Sequence, residues 1–175
     1  IAEMLINPED GKPDNYIVQS LPNQSKRIVS IDNDHMFVPI VELETNGSKK
    51  KIQLGSVLFC LSEMKQSIQN PLINRWNKKI LDDVPDFLMN WINSIKEADE
   101  RYNNMLCKNQ TKGKTFDFKV IWPEVIEGLY VKLLRMRNYF LKKNVGTYLD
   151  LLEILEPIHG RIYQEFHELF SQFDS

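Results

Sequence analysis

Residues 10–18 read D-G-K-P-D-N-Y-I-V, and residues 27–32 read R-I-V-S-I-D. Each stretch contains a run of β-branched or aromatic residues, which predicts a short strand. Between the two runs, residues 21–26 hold a proline, an asparagine and a serine, which are typical of a turn. We therefore expect an antiparallel hairpin with two candidate catalytic acids, Asp10 and Asp32, at its two ends.

The rest of the first 54 residues is predicted to consist of short elements and loops. Residues 1–6 are typical of the last turns of a helix, which Asn7-Pro8 should end because proline removes a donor and restricts the residue before it. Residues 37–44 are expected to be extended. Residues 45–51, T-N-G-S-K-K-K, are expected to form an exposed loop.

The remainder of the chain carries apolar residues at helical spacing. The predicted helices cover 54–64, 73–80, a segment after the N-cap Asp83 with Pro85 in its first turn, Pro123 to about 143, and a segment from Thr147 or Tyr148 interrupted near Pro157 and Gly160. Their apolar faces should form the core, including the last one, which ends in Ile162, Phe166, Leu169, Phe170 and Phe173. The fold class is therefore predicted to be α+β, mostly α-helical, as one domain with a first part over 1–54 and a helical part over 55–175.

Composition excludes several classes of protein. The chain has 175 residues and a net charge of −2, without the basic excess of a dedicated nucleic-acid binder. No apolar run is long enough to span a membrane. Cys60 and Cys107 give neither a disulfide framework nor a metal-ligand spacing, so we expect buried free thiols in a reducing compartment, the cytoplasm. Because the chain begins at Ile1, we expect it to be a piece of a longer protein.

The polar residues around the predicted hairpin suit phosphoryl transfer. Such a reaction needs Mg²⁺ held by oxygen ligands and an oriented acceptor for the proton of the attacking hydroxyl. Asp10 fits the acceptor role, and Lys12 can reach the γ-phosphate of ATP. Asn15 and Asp32 are candidate Mg²⁺ ligands, and Asp34 is a further candidate for a second metal ion.

Residues 10–15 match D-x-K-P-x-N, the catalytic-loop pattern of protein kinases, at all four fixed positions. The pair before the acid is Pro8-Glu9 rather than H-R, and the usual D-F-G is replaced by D-N-D at 32–34. The segment I-D-N at 31–33, followed by Phe37 and Pro39, resembles the atypical branch, which includes type II phosphatidylinositol 4-kinases and actin-fragmin-kinase-like proteins.

This resemblance implies a kinase-like C-terminal lobe in which a short β-hairpin carries the catalytic loop. It implies ATP and Mg²⁺ as cofactors and transfer of the γ-phosphoryl group to a hydroxyl of a protein or a lipid. The N-terminal lobe that would complete the ATP site is missing from this chain, which has no G-x-G-x-x-G motif, so the fragment alone is expected to be inactive.

Other interpretations remain open. The acids are also typical of turns and caps in a plain helical domain. Alternatively, the chain is a catalytically inactive kinase-like scaffold whose residues 55–175 bind a partner in a larger assembly. His35 is interpreted as a hydrogen-bonded loop residue rather than a metal ligand, and His159 and His167 as structural or exposed.

Overall fold

A computed structural model describes residues 1–8, 11–31, 36–37, 41–43, 50–52, 55–109, 123–142 and 145–172. Most of these residues are helical, and the strands form two separate two-stranded antiparallel sheets, which confirms the α+β, mostly α-helical class. The helices are α1 (Ala2–Ile6), α2 (Asn70–Trp76), α3 (Val84–Asn109), α4 (Pro123–Phe140), α5 (Tyr148–Leu155) and α6 (Pro157–Ser171). Within these ranges, no helix has both the length and the apolar character needed to cross a membrane.

The predicted hairpin is confirmed. Strand β1 (Tyr16–Ser20) pairs with β2 (Lys26–Ser30), and Tyr16 lies opposite Ser30. The turn between them includes Gln24, whose φ of 64° is left-handed, and its N–H donates to the carbonyl of Leu21. The pairing follows from the two β-branched runs, and it fixes which residues at the two strand ends lie side by side.

The structure contains a second hairpin, of which the sequence predicts only the first strand. Strand β3 (Val41–Leu43) lies within the segment expected to be extended, and it pairs with β4 (Lys50–Ile52), where we expected a loop. Phe37, at the start of the predicted extended segment, instead has a φ of 62° and turns the chain.

The helix predicted over 54–64 is wrong, because the segment forms two separate 3₁₀ turns, Val57–Cys60 and Ser62–Lys65. Leu61 between them is extended, with ψ at 143°. Backbone groups that an α-helix would use internally make tertiary contacts instead: the Phe59 carbonyl lies 2.9 Å from Nε2 of His167. Hydrogen bonds to distant residues, rather than the apolar periodicity, therefore determine the conformation of this segment.

The longer helices begin where the sequence predicts. Asp83 accepts from the N–H of Asp86 at the start of α3. Thr147 caps α5 in a capping box with Asp150, in which each side chain bonds the other residue's backbone. A break before Pro157 separates α5 from α6, as expected.

Gly160 does not interrupt the last helix; this prediction is wrong. It lies inside α6, and a Cβ there would stand 2.3 Å from the Cα of Glu153 on α5. The glycine therefore permits close packing of two helices rather than a break. A short π-helical turn, Asn77–Leu81, follows α2 in the region where one short helix was predicted.

The hydrophobic core lies among the helices. Its most deeply buried apolar side chains are Met4, Phe59, Leu81, Val84, Leu133, Met136, Leu151, Leu152 and Leu155. The end of α6 departs from the prediction, since Leu169 and Phe170 are 57% and 56% exposed. The Phe170 ring packs on Phe166 at 4.4 Å between centroids instead of entering the core.

Candidate functional site

The loop before β1 forms a short 3₁₀ turn, Pro13–Asn15, whose first residue has the fixed φ that proline supplies. The N–H of Asn15 donates to the carbonyl of Lys12 at 3.1 Å. Lys12 and Asp14 are exposed, whereas Asn15 is only 7% exposed. The turn thus holds the predicted phosphate-binding lysine at the surface and the predicted metal-binding amide inward.

Three of the predicted site residues, Asp10, Asp32 and Asp34, lie outside the described residues, as does His35.

The backbone brings together the ends of two motifs: the last residue of D-x-K-P-x-N (residues 10–15) and the first residue of I-D-N (residues 31–33). The N–H of Ile31, the residue before Asp32 in the sequence, donates to the carbonyl of Asn15 at 3.0 Å. This bond extends the β1–β2 ladder by one pair beyond Tyr16 and Ser30. The last residue of the D-x-K-P-x-N motif and the residue that precedes the second acid are therefore hydrogen-bonded neighbours.

Gly11, inside the motif, is held against the first 3₁₀ turn of the helical part. Its carbonyl accepts from the N–H of Val57 at 2.7 Å. A Cβ at Gly11 would stand 2.4 Å from the Cα of Ser56, a distance that real Cβ atoms do not reach. Only glycine lets the two backbones approach this closely.

A second contact fixes the other end of the motif. The hydroxyl of Tyr16, which follows Asn15, lies 2.7 Å from Oγ of Ser56 and 3.1 Å from Oε2 of Glu3. Burial raises the pKa of Glu3, and the Tyr16 hydrogen bond opposes this shift. Ser56 is fully buried, and its Oγ also accepts from the N–H of Leu58. Ser56 therefore contacts both ends of the loop, at Gly11 and at Tyr16.

Ser56 is in turn connected to the last helix. Its carbonyl lies 3.5 Å from the hydroxyl of Tyr163, whose pKa burial raises to about 12. The rings of Phe59 and Tyr163 meet edge to face at 5.3 Å, and His159 packs near both. His159 and His167 are both buried, so they are structural residues rather than exposed ones.

Sequence reasoning missed these supporting residues. The sequence predicts Tyr16 only as part of a strand and Ser56 only as part of the helix over 54–64. No local pattern marks Ser56, because its partners are distant in the sequence. A clue existed at Gly11, since a glycine inside a motif signals a close approach of backbone.

Among the residues that the structure describes, no three or more His, Cys, Asp or Glu side chains cluster as a metal site would require. Burial raises the pKa of the free Cys60 thiol, so it is poorly suited to act as a nucleophile.

Comparison of the chain with protein-family models, with curated proteins and with solved structures found no match.

Proposed function

We propose that this chain is the C-terminal lobe of an atypical kinase, which transfers the γ-phosphoryl group of ATP to a hydroxyl of a protein or a lipid in the cytoplasm. Asp10 orients and deprotonates the acceptor, and Lys12 binds the γ-phosphate. Asn15 and Asp32 hold Mg²⁺, with Asp34 as a further ligand.

The observation that carries the proposal is the hydrogen bond between Asn15 and Ile31. Side chains from two motifs can share one metal ion when their backbones lie close enough for both to reach it. This bond joins the last residue of one motif to the neighbour of Asp32. The anchored Gly11 adds support, because a loop held by backbone contacts keeps its charged groups in place without reorganisation.

Next to the loop, one face of the hairpin carries three apolar side chains, two of which are largely exposed. Ile17 lies opposite Val29 across the strands, and Ile31 lies opposite Asn15 at the open end of the hairpin. Ile17 and Ile31 are 51% and 56% exposed. An apolar surface next to a phosphate loop suits the flat ring of a nucleotide base or an element that covers it, such as a second lobe.

The proposal is tested by titrating the full-length protein with ATP in the presence and absence of Mg²⁺. Asp32→Asn removes the negative charge of one proposed Mg²⁺ ligand. The Kd for ATP in the presence of Mg²⁺ should rise by at least about tenfold, the effect of losing one charge-assisted contact. Asp14→Asn is the matched control, because Asp14 is an exposed acid in the same loop outside the four fixed positions. Equal Kd values for the wild type and Asp32→Asn would contradict the proposal.

A second candidate function is an inactive kinase-like module that binds a partner in a larger assembly. It is favoured by the exposed end of α6, where Leu169 and Phe170 leave an apolar surface uncovered. The same titration separates the two functions, since a scaffold gains nothing from Mg²⁺ and loses nothing in Asp32→Asn.

A further inference from the structure

The last four carbonyls of helix α1 are all hydrogen-bonded. The last four carbonyls of a helix have no partner within it and must find one elsewhere. Here the carbonyl of Glu3 accepts from the N–H of Asn7, and the carbonyl of Ile6 accepts from the N–H of Phe37. The other two, of Met4 and Leu5, accept from Nζ of Lys132 at 3.0 and 3.3 Å.

Lys132 is held in place from the other side. Its ammonium group forms an ion pair with Glu156, and the two side chains are 14% and 15% exposed. Lys132 belongs to α4 and Glu156 stands between α5 and α6, so the pair joins the helical core to the end of α1. A cation at a helix C-terminus also interacts favourably with the helix dipole.

Both motifs of the proposed site attach to helix α1. Glu3 accepts from Tyr16, the neighbour of Asn15, and Ile6 binds Phe37, which follows the segment that contains Asp32 and Asp34. Any displacement of α1 therefore moves the Asn15 side and the Phe37 side together.

From this arrangement we propose that Lys132 and Glu156 are positioning residues for the candidate site: they fix the C-terminal end of α1, which sets the relative placement of the two motifs. The role rests on the proposed kinase function for its effect on catalysis. Its effect on the backbone does not depend on that function.

The first measurement is hydrogen exchange of backbone amides in the full-length protein. Lys132→Met keeps the bulk of the side chain and removes its charge. We expect exchange of the Asn7, Ile31 and Phe37 amides to rise about ten- to a hundredfold relative to the amides of α3, the effect of losing a hydrogen bond to a charged group. Lys132→Arg should restore most of the protection, because it keeps a cation in reach of the carbonyls.

The second measurement is steady-state phosphotransfer. A shift of the loop by about 1 Å should lower kcat by up to about a hundredfold, while the KM for ATP changes little. Glu156→Gln should act in the same direction. Lys96→Met, which alters an exposed lysine on α3, is the control and should match the wild type in both assays.

The two proposals fail in different ways. If the full-length protein shows no phosphotransfer but Lys132→Met still loosens the three amides selectively, the kinase function is wrong and the positioning of the loop stands. The positioning role is wrong if Lys132→Met exchanges like Lys96→Met, if all amides including those of α3 are accelerated equally, or if kcat is unchanged in an active protein.

Discussion

The contact between Gly11 and Ser56 predicts a large effect from a single methyl group. In Gly11→Ala the new Cβ would stand 2.4 Å from the Cα of Ser56, 3.0 Å from its Cβ and 3.1 Å from its backbone nitrogen. Non-bonded carbon atoms settle at about 3.5 to 4.0 Å, so one of the two backbones must move by about 1 Å. Because Ser56 is fully buried, it has little room to yield.

Overpacking of this kind costs about 1–3 kcal/mol of the free energy of unfolding. For a chain of 175 residues, each kcal/mol lowers the Tm by about 2–4 °C, so Gly11→Ala should melt about 2–12 °C below the wild type. The displacement also strains the hydrogen bond from the N–H of Val57 to the carbonyl of Gly11. If the proposed function is correct, kcat should fall by up to about a hundredfold.

Gly128→Ala provides the matched control. Gly128 lies in the exposed face of α4, and a Cβ there would meet nothing within 4 Å. Alanine favours a helix over glycine by about 0.5–1 kcal/mol, so this variant should melt slightly above the wild type. Thermal unfolding followed by circular dichroism measures both shifts. If Gly11→Ala melts at or above the wild-type temperature, the close approach between Gly11 and Ser56 is refuted.

Two further predictions concern a buried acid and a helix cap. Burial raises the pKa of Glu3 in the folded chain, so this carboxyl contributes stability below its ordinary pKa and loses that contribution as the pH rises through the folded pKa. Glu3→Gln should therefore be more stable than the wild type near neutral pH, and the difference in urea midpoint should shrink as the pH falls to about 4; a difference that does not vary with pH would contradict the assigned shift. Thr147→Ala removes one half of the capping box with Asp150 and should cost about 1 kcal/mol in the same denaturation assay. Ser94→Ala, which removes only an exposed hydroxyl bonded to the carbonyl four residues earlier, should be nearly neutral, and equal losses in the two variants would argue against the cap.

The parts of the fold that the sequence predicted are those set by short-range interactions. The β1–β2 pairing depends on two β-branched runs and the turn between them, all within fifteen residues from Tyr16 to Ser30. The start of α3 depends on Asp83, and that of α5 on Thr147 and Asp150, each a few residues from the backbone it caps. Local chemistry is sufficient where both partners are close in the sequence.

The predictions that failed depend on contacts between distant residues. The apolar spacing of 54–64 is compatible with an α-helix, but the Phe59 carbonyl contacts His167 and the segment breaks into turns. Gly160 was interpreted as a helix breaker because glycine is a poor helix former, whereas its proximity to Glu153 on α5 explains its presence. Neither contact leaves a trace in the local sequence pattern.

The candidate site also combines short-range contacts, which the sequence predicted, with contacts between distant residues, which it did not. Lys12 and Asn15 precede the β1–β2 hairpin and Ile31 follows it, so a motif together with a strand pattern was enough to associate them. The contact of Lys132 with α1, by contrast, comes from far along the chain. Two carbonyls at the end of α1 accept from this lysine, so the helical core fixes the C-terminal end of α1. The motif residues therefore depend on the core for their placement, and substitutions at Lys132 or Ser56, which no motif contains, should disturb the site more than substitutions at Asp14, which lies inside the motif but is exposed.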